Sequence, residues 1–357
     1  NSEITIEVNA EKHDHAKDWA NIKKAILNKE VKALGAFAGS DNLDSEALIK
    51  DASTHSFIFE SLIFLNDEDY NGDEIFSISI TFGGFDFFYG YNCQRQAHQL
   101  YPQFLWKNEN KIWLNNEKIF PRTHKKLDIG ADSLDLNSYK KWTQQDYAPA
   151  KMQTEVLNFI EKNKEQPFFM YYATPLPHLP LQVPHEYVEK YVKIFGDEKP
   201  YLGNKGYFPN RYPKATYAGM ISYLDDQVGE IVQKLKDLKI YDSTIIVFTS
   251  DNGPSYTGGT DAAYFNSAGP FLNLRNTVKG NLNEGGIRVP TIVTWPNVIP
   301  SGSKSSHPST FYDYLATISD LVGESPPYKT DGISFLPTLE GKNQEKHKYL
   351  YWEFPSY

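Results

Sequence analysis

Hydrophobic positions change their period along this chain, and the changes mark out its elements. The clearest helical pattern is Ile221, Leu224, Val228, Ile231, Val232, Leu235 and Leu238, with Asp225, Asp226, Glu230, Lys234 and Lys236 on the other face. Residues 243–249, STIIVFT, follow as a β-branched apolar run, the pattern of a central strand rather than a half-exposed one. A helix feeding such a strand is one turn of an α/β fold. Residues 288–295, RVPTIVTW, predict another strand, and residues 311–322 a second amphipathic helix. Residues 166–173, QPFFMYYA, read as a buried parallel strand entered from a helix ending at 156–160. Between 83 and 147 no strong periodicity appears, which predicts a long surface excursion.

The first 82 residues have a different texture. Ile22, Ala25, Ile26 and Lys29 give one helical face, and residues 46–49 a short second helix. Two β-type runs, 57–65 and 75–82, flank a polar segment holding the turn signal Asn71-Gly72. The expected organisation is a small α+β unit over 1–82 and an α/β domain over 83–357.

Composition narrows the classes. The chain has 357 residues, 40% hydrophobic and 23% charged, ordinary globular values, with a high aromatic share of 15%. A net charge of -9 and the absence of any basic run exclude nucleic acid as a partner. Cys93 is the single cysteine, so there is neither an intrachain disulfide nor a cysteine cluster for zinc. That fits a reducing cytoplasm and a disulfide-free exported protein equally. No stretch reaches the roughly 18 apolar residues of a membrane span, and no signal-peptide pattern follows Asn1.

Candidate chemistry gathers at the ends of these elements. Thr249-Ser250-Asp251-Asn252-Gly253 closes the strand predicted at 243–249, the edge where sites of open α/β sheets lie. A carboxylate and a carboxamide oxygen there suit calcium or magnesium; Asp-Asn-Gly is also an ordinary turn signal. Lys279-Gly-Asn-Leu-Asn-Glu284-Gly-Gly-Ile-Arg288-Val-Pro290 is a glycine-rich loop able to approach an oxyanion, with Lys279 as a point charge. By itself Lys279 would be a solvated loop lysine. Thr174-Pro-Leu-Pro-His178-Leu-Pro180 places a histidine among prolines after the 166–173 run, suited to protonating a leaving oxygen, although a lone histidine in such a loop is often structural.

Together these segments resemble the sulfatase family. GFDFFYGYNCQRQAH, YYATPLPHLPLQVP, YLDDQVGEIVQKL, TIIVFTSDNGP, KGNLNEGGIRVPTIVTWPNVIPSG, DGISFLPTLEGK and YLYWEF look like that family's blocks in that family's order, from about 83 to 357. The resemblance implies an alkaline phosphatase-like α/β sandwich around a central mixed, mostly parallel sheet, incomplete at its N-terminal part. It implies that Asp251 and Asn252 ligate calcium, that His178 contacts the sulfate and assists the leaving group, and that Lys279 contacts a sulfate oxygen. Glu284 and Arg288 would support the loop. Lys279 stands one residue further from Leu274-Arg275 than the family pattern has it. No organic cofactor is implied, and the implied partner is a sulfated small molecule or glycan.

The departures from the pattern are as informative. The family's D-D-x-G block, with two further calcium carboxylates, and its C-x-P-S-R or S-x-P-S-R block, whose first residue becomes the formylglycine nucleophile, do not occur in the sequence, and neither does G-K-W-x-L-G. Cys93 is followed by Gln-Arg-Gln and belongs to a different block, while Asp225-Asp226 lies within a helix. Without the nucleophile the covalent route is closed, and with fewer ligands calcium is held weakly. The readings are therefore a sulfatase of which this is an incomplete view, a non-catalytic fusion or pseudoenzyme binding a sulfated ligand, or a phosphatase or phosphodiesterase relative. The last typically has His beside the Asp for zinc, where this chain has Asn252. The resemblance also implies export to a bacterial periplasm or medium.

Overall fold

The structure, a computed structural model, describes residues 85–92, 96–119, 126–271, 278–326 and 328–353. The elements expected before residue 83, the boundary at 82 and Cys93 lie outside the described residues. Two compact units are present, 1–155 and 156–357, the division falling inside one helix.

In the first unit the described residues carry a three-stranded antiparallel sheet in the order β1 (Tyr89–Gly90), β2 (Phe104–Lys107), β3 (Asn110–Trp113). Phe104 pairs with Trp113 and Trp106 with Lys111 across the β2–β3 hairpin. Its tight turn uses Asn108 at φ 51°, a left-handed conformation that asparagine tolerates. Leu100, Leu105 and Trp142 are buried beneath it, so the surface excursion expected over 83–147 is corrected to a packed unit. The strands are only four residues long and Phe104, Leu105 and Trp106 are all buried, so neither helical spacing nor alternation could announce them. Helix α1 (Ala148–Asn163) follows.

The second unit is built on two packed helices, α2 (His185–Phe195) and α3 (Pro213–Asp237). Gly219 lets them approach, since a Cβ there would stand 3.1 Å from the Tyr187 carbonyl. Helix α3 starts at Pro213, whose fixed φ suits a first turn, and its first amides are capped from a distance. Glu198 accepts from Lys214 N at 2.9 Å and Ala215 N at 3.0 Å. Asp225 and Asp226 lie on this helix as expected, and Asp226 accepts from the Tyr187 hydroxyl at 2.7 Å.

Strand β4 (Ile246–Thr249) pairs antiparallel with β5 (Thr291–Thr294), Ile246 opposite Thr294 and Thr249 opposite Thr291. Both sheets of the described residues are therefore antiparallel, and the mostly parallel pairing expected is not among them. A strand of apolar residues was expected at the centre of a sheet; among the described residues β4 has one partner, and Val247 and Phe248 are exposed. The 166–173 run is also corrected: it forms no ladder among the described residues. It is extended with one face packed, Phe168 meeting Phe159 edge-on at 5.7 Å and the Tyr172 hydroxyl accepting from Gln227, while Phe169 and Tyr171 are exposed. Apolar composition sets what burial would gain, but a strand also needs a neighbour for its backbone groups.

A four-residue turn of helix, α4 (Glu284–Ile287), precedes β5. Helix α5 (Asp313–Val322), expected from its periodicity, is tied to the segment after it through its first residue. The fully buried Asp313 carboxylate accepts from Thr310 N and Ile333 N at 2.8 Å each and from the His347 ring at 2.7 Å. A short helix, α6 (Leu336–Leu339), completes the order. No helix of the described residues is long and apolar enough to cross a membrane.

Candidate functional site

The three polar segments singled out by sequence all lie in the second unit, and two of them, the Asp251 bend and the Lys279 loop, are joined by backbone hydrogen bonds. Asp251 and Asn252 leave the end of β4 in a bend, where the Ser250 hydroxyl donates to the Asn252 carbonyl at 3.0 Å. Gly253 N then donates to Gly286 O at 2.8 Å, and Lys279 N to Pro254 O at 3.0 Å. The approach leaves no room for side chains. A Cβ on Gly253 would fall 1.9 Å from Gly285 O, and one on Gly286 2.0 Å from Asn281 O. The two loops are thus held edge to edge by their own peptide groups, with Lys279 and Asp251 on adjoining strands of chain.

Glu284 and Arg288 were expected to support this loop. They form an ion pair at 2.7 Å across α4, and the Arg288 guanidinium also lies over the Phe271 ring at 4.9 Å. Both ends of the pair are exposed, so it contributes at most about 1 kcal/mol. The Arg288 N–H to Glu284 carbonyl bond, 2.8 Å, closes the same turn.

His178 enters from the third segment. Its backbone N–H closes a turn on Pro175 O at 2.8 Å, and its ring Nδ1 lies 2.7 Å from Leu179 O. A carbonyl can only accept, so Nδ1 carries the proton and acid–base chemistry at this ring is confined to Nε2. Burial pushes the imidazole below its usual pKa, the Lys279 ammonium pushes the same way, and the Leu179 carbonyl and Asp251 carboxylate oppose them. Sensing both Lys279 and Asp251, His178 shares a local field with the other two segments.

A fourth segment, missed in the sequence, completes the wall. Residues 201–210 close on themselves through Tyr201 N to Asn210 O and Asn210 N to Tyr201 O, both 2.9 Å. Asn210 Nδ2 donates to Leu181 O at 2.9 Å, fastening this loop to the His178 segment, and the Thr257 hydroxyl donates to Lys205 O at 2.6 Å. Tyr207 meets the His178 ring edge-on, with centroids 6.0 Å apart. Only the double glycine Gly258-Gly259 hinted at a close approach: a Cβ on Gly258 would fall 2.6 Å from Leu179 Cδ1.

The Lys279 loop and the Asp251-Asn252 bend are thus joined through their backbones, and His178 is influenced electrostatically by both Lys279 and Asp251. No group of three or more His, Cys, Asp or Glu side chains able to hold a metal occurs among the described residues. Asp251 and Asn252 offer hard oxygen donors, two of the six to eight that a calcium ion takes.

Comparison with known proteins gives consistent results. The family model described as Sulfatase matches residues 66–324. The chain is similar to human N-acetylgalactosamine-6-sulfatase, 30% identical over 201 residues, which cover 55% of this chain and 33% of that protein. Among solved structures it resembles Ps i-CgsB in complex with k-i-k-neocarrahexaose, at TM-score 0.50 and 25% identity, covering 74% of this chain and 52% of that one. It also resembles a sulfatase structure from work on glycosaminoglycan metabolism by Bacteroides thetaiotaomicron, at TM-score 0.53 and 20% identity, covering 76% and 58%. That likeness carries the alkaline phosphatase-like α/β fold. The matched stretch spans about a third of the length of the curated human relative.

Proposed function

Because the chain belongs to the sulfatase family, we propose that His178, Asp251, Asn252 and Lys279 form the anion-binding half of a site for sulfuric esters. The observation that supports this reading is the backbone seam between the two loops, Gly253 N to Gly286 O and Lys279 N to Pro254 O, which joins the chain at Lys279 to the chain just after Asp251 and Asn252. Lys279 offers a point charge to a sulfate oxygen, and the loop behind it is fixed by hydrogen bonds. His178, with Nδ1 committed to Leu179 O, offers Nε2 to the ester's leaving oxygen. Asp251 and Asn252 offer oxygen ligands to a calcium ion completed by donors elsewhere; bound there, it would supply positive charge opposite the sulfate.

The class of ligand is a sulfated saccharide. Human N-acetylgalactosamine-6-sulfatase by its name, and the k-i-k-neocarrahexaose in complex with Ps i-CgsB, support that choice. The family's reaction would be hydrolysis of a sulfate ester, outside the cytoplasm of a bacterium, where one cysteine requires no disulfide. The nucleophile is a separate matter: the sequence holds neither C-x-P-S-R nor S-x-P-S-R. A polypeptide of this sequence alone is expected to bind sulfate esters without turning them over; a non-catalytic protein that binds a sulfated ligand is the alternative reading.

Calorimetric titration with inorganic sulfate tests the binding half. Lys279→Ala is expected to weaken affinity by about tenfold, about 1.4 kcal/mol for a lost charge-assisted hydrogen bond, and His178→Ala to weaken it only at acid pH, where Nε2 carries a proton. Equal affinity in wild type and both variants would sink the site assignment. Assay of a chromogenic aryl sulfate with added calcium tests the catalytic half, and turnover abolished by His178→Ala would overturn the claim that the chain is inert.

A further inference from the structure

We infer that Tyr207 is the positioning residue for His178, its ring fixing the plane of the imidazole while the Leu179 carbonyl fixes its tautomer; the role rests on the assignment of His178 to the anion site. The hydrogen bond from Nδ1 to Leu179 O, at 2.7 Å, comes from the very next residue and fixes one edge of the ring. The Tyr207 ring meets the imidazole edge-on at 73° with centroids 6.0 Å apart, inside the range in which aromatic rings attract through opposed quadrupoles, and restrains rotation about that edge.

Tyr207 is not where packing alone would put a tyrosine. Its φ is 62°, the left-handed region, which costs a bulky residue on the order of 1–3 kcal/mol and persists only where the surroundings enforce it. Those surroundings are visible. The loop ends are joined at Tyr201 and Asn210, Lys205 N donates to the Tyr201 hydroxyl at 2.9 Å, and that hydroxyl donates to Gly206 O. Behind the ring stands the Gly258 backbone. A Cβ there would fall 2.7 Å from Tyr207 Cδ2, and Gly258 itself has φ 62°. The tyrosine ring is therefore wedged between the Gly258 backbone and the His178 imidazole, and its strained backbone is what delivers it there.

Asparagine tolerates a left-handed φ better than tyrosine does, so Tyr207→Asn removes the ring without the backbone penalty. Tyr207→Phe keeps the ring. The measurement is nitrogen-15 NMR of the His178 ring in the full chain at one neutral pH, together with urea unfolding and a titration with inorganic sulfate. Expected for Tyr207→Asn is a folded protein whose His178 ring nitrogens move toward a tautomer average, with sulfate affinity shifted by about threefold or more. Tyr207→Phe should match wild type in all three readings. An unchanged His178 spectrum in a folded Tyr207→Asn would overturn the inference, and so would a Tyr207→Phe spectrum as disturbed as that of Tyr207→Asn. Failure of wild type to bind sulfate would strike the proposed function instead, since the ring spectra judge Tyr207 without any ligand.

Discussion

Replacing Gly253 by alanine should cost this protein more than any other single methyl group added at a glycine of the β4 loop. The new Cβ would lie 1.9 Å from Gly285 O, 2.9 Å from Gly285 C and 3.1 Å from Gly286 Cα, all backbone atoms with no rotamer to yield. Relief needs a separation of the two loops by more than 1 Å or so, judged against the roughly 3.3–3.6 Å at which carbon and oxygen sit comfortably. Such a separation breaks the 2.8 Å bond from Gly253 N to Gly286 O and strains its neighbour from Lys279 N to Pro254 O, 3.0 Å. Overpacking costs about 1–3 kcal/mol and a lost hydrogen bond about 1, so Gly253→Ala should destabilise by about 2–4 kcal/mol. Gly229 is the internal control: it sits exposed within α3 with nothing within 4 Å of the position its Cβ would take. There alanine should stabilise by about 0.5–1 kcal/mol. Urea midpoints at constant m-value give both numbers. A Gly253→Ala midpoint at or above wild type would refute the seam, and a destabilised Gly229→Ala would refute the steric reasoning that separates the two.

Glu198→Ala removes the carboxylate that receives Lys214 N and Ala215 N, and should lower stability by about 1 kcal/mol, with Glu198→Gln recovering part of it; equal melting of wild type and Glu198→Ala would contradict the cap. Acid should also destabilise the fold through two imidazoles. Burial holds His178 below its ordinary pKa, and it does the same to His307, whose ring nitrogens are buried without a partner. Both groups bind protons more readily unfolded, so their contribution is intact above about pH 6.5 and is lost as pH falls through the lower folded values. Melting temperatures taken from about pH 7 down to about pH 5 should fall for wild type and fall less for His178→Gln/His307→Gln. Parallel curves for the two proteins would rule out this assignment.

How much of this could be read in advance depended on whether a residue's job is local. Helix α3 announced itself because Leu224, Val228, Ile231 and Leu235 recur at three- and four-residue spacing, and the Asp251 bend because Asp-Asn-Gly carries its own turn chemistry. The β1–β3 sheet gave no such signal. Its pairing of Phe104 with Trp113 depends on a two-residue turn at Asn108 and Glu109, and four-residue strands are too short to show a period. The 166–173 run misled for the converse reason, since its apolar content is real but strand pairing is decided by what stands alongside. Of the candidate site, motifs pointed to His178, Asp251, Asn252 and Lys279 as candidates, whereas no motif pointed to Tyr207 or Gly258. Their importance lies in a φ angle and in contacts reaching from 207 back to 178 and forward to 258, and a sequence displays neither.

The seam between Gly253 and Gly286 also bears on kinetics. Loops stitched by their own peptide groups have already lost their conformational freedom during folding, so an arriving anion has little chain left to order. Such a pocket is preorganised. Capture should then be governed by diffusion and by the Lys279 charge, rising as ionic strength is lowered, and selectivity should reside in how long a ligand stays.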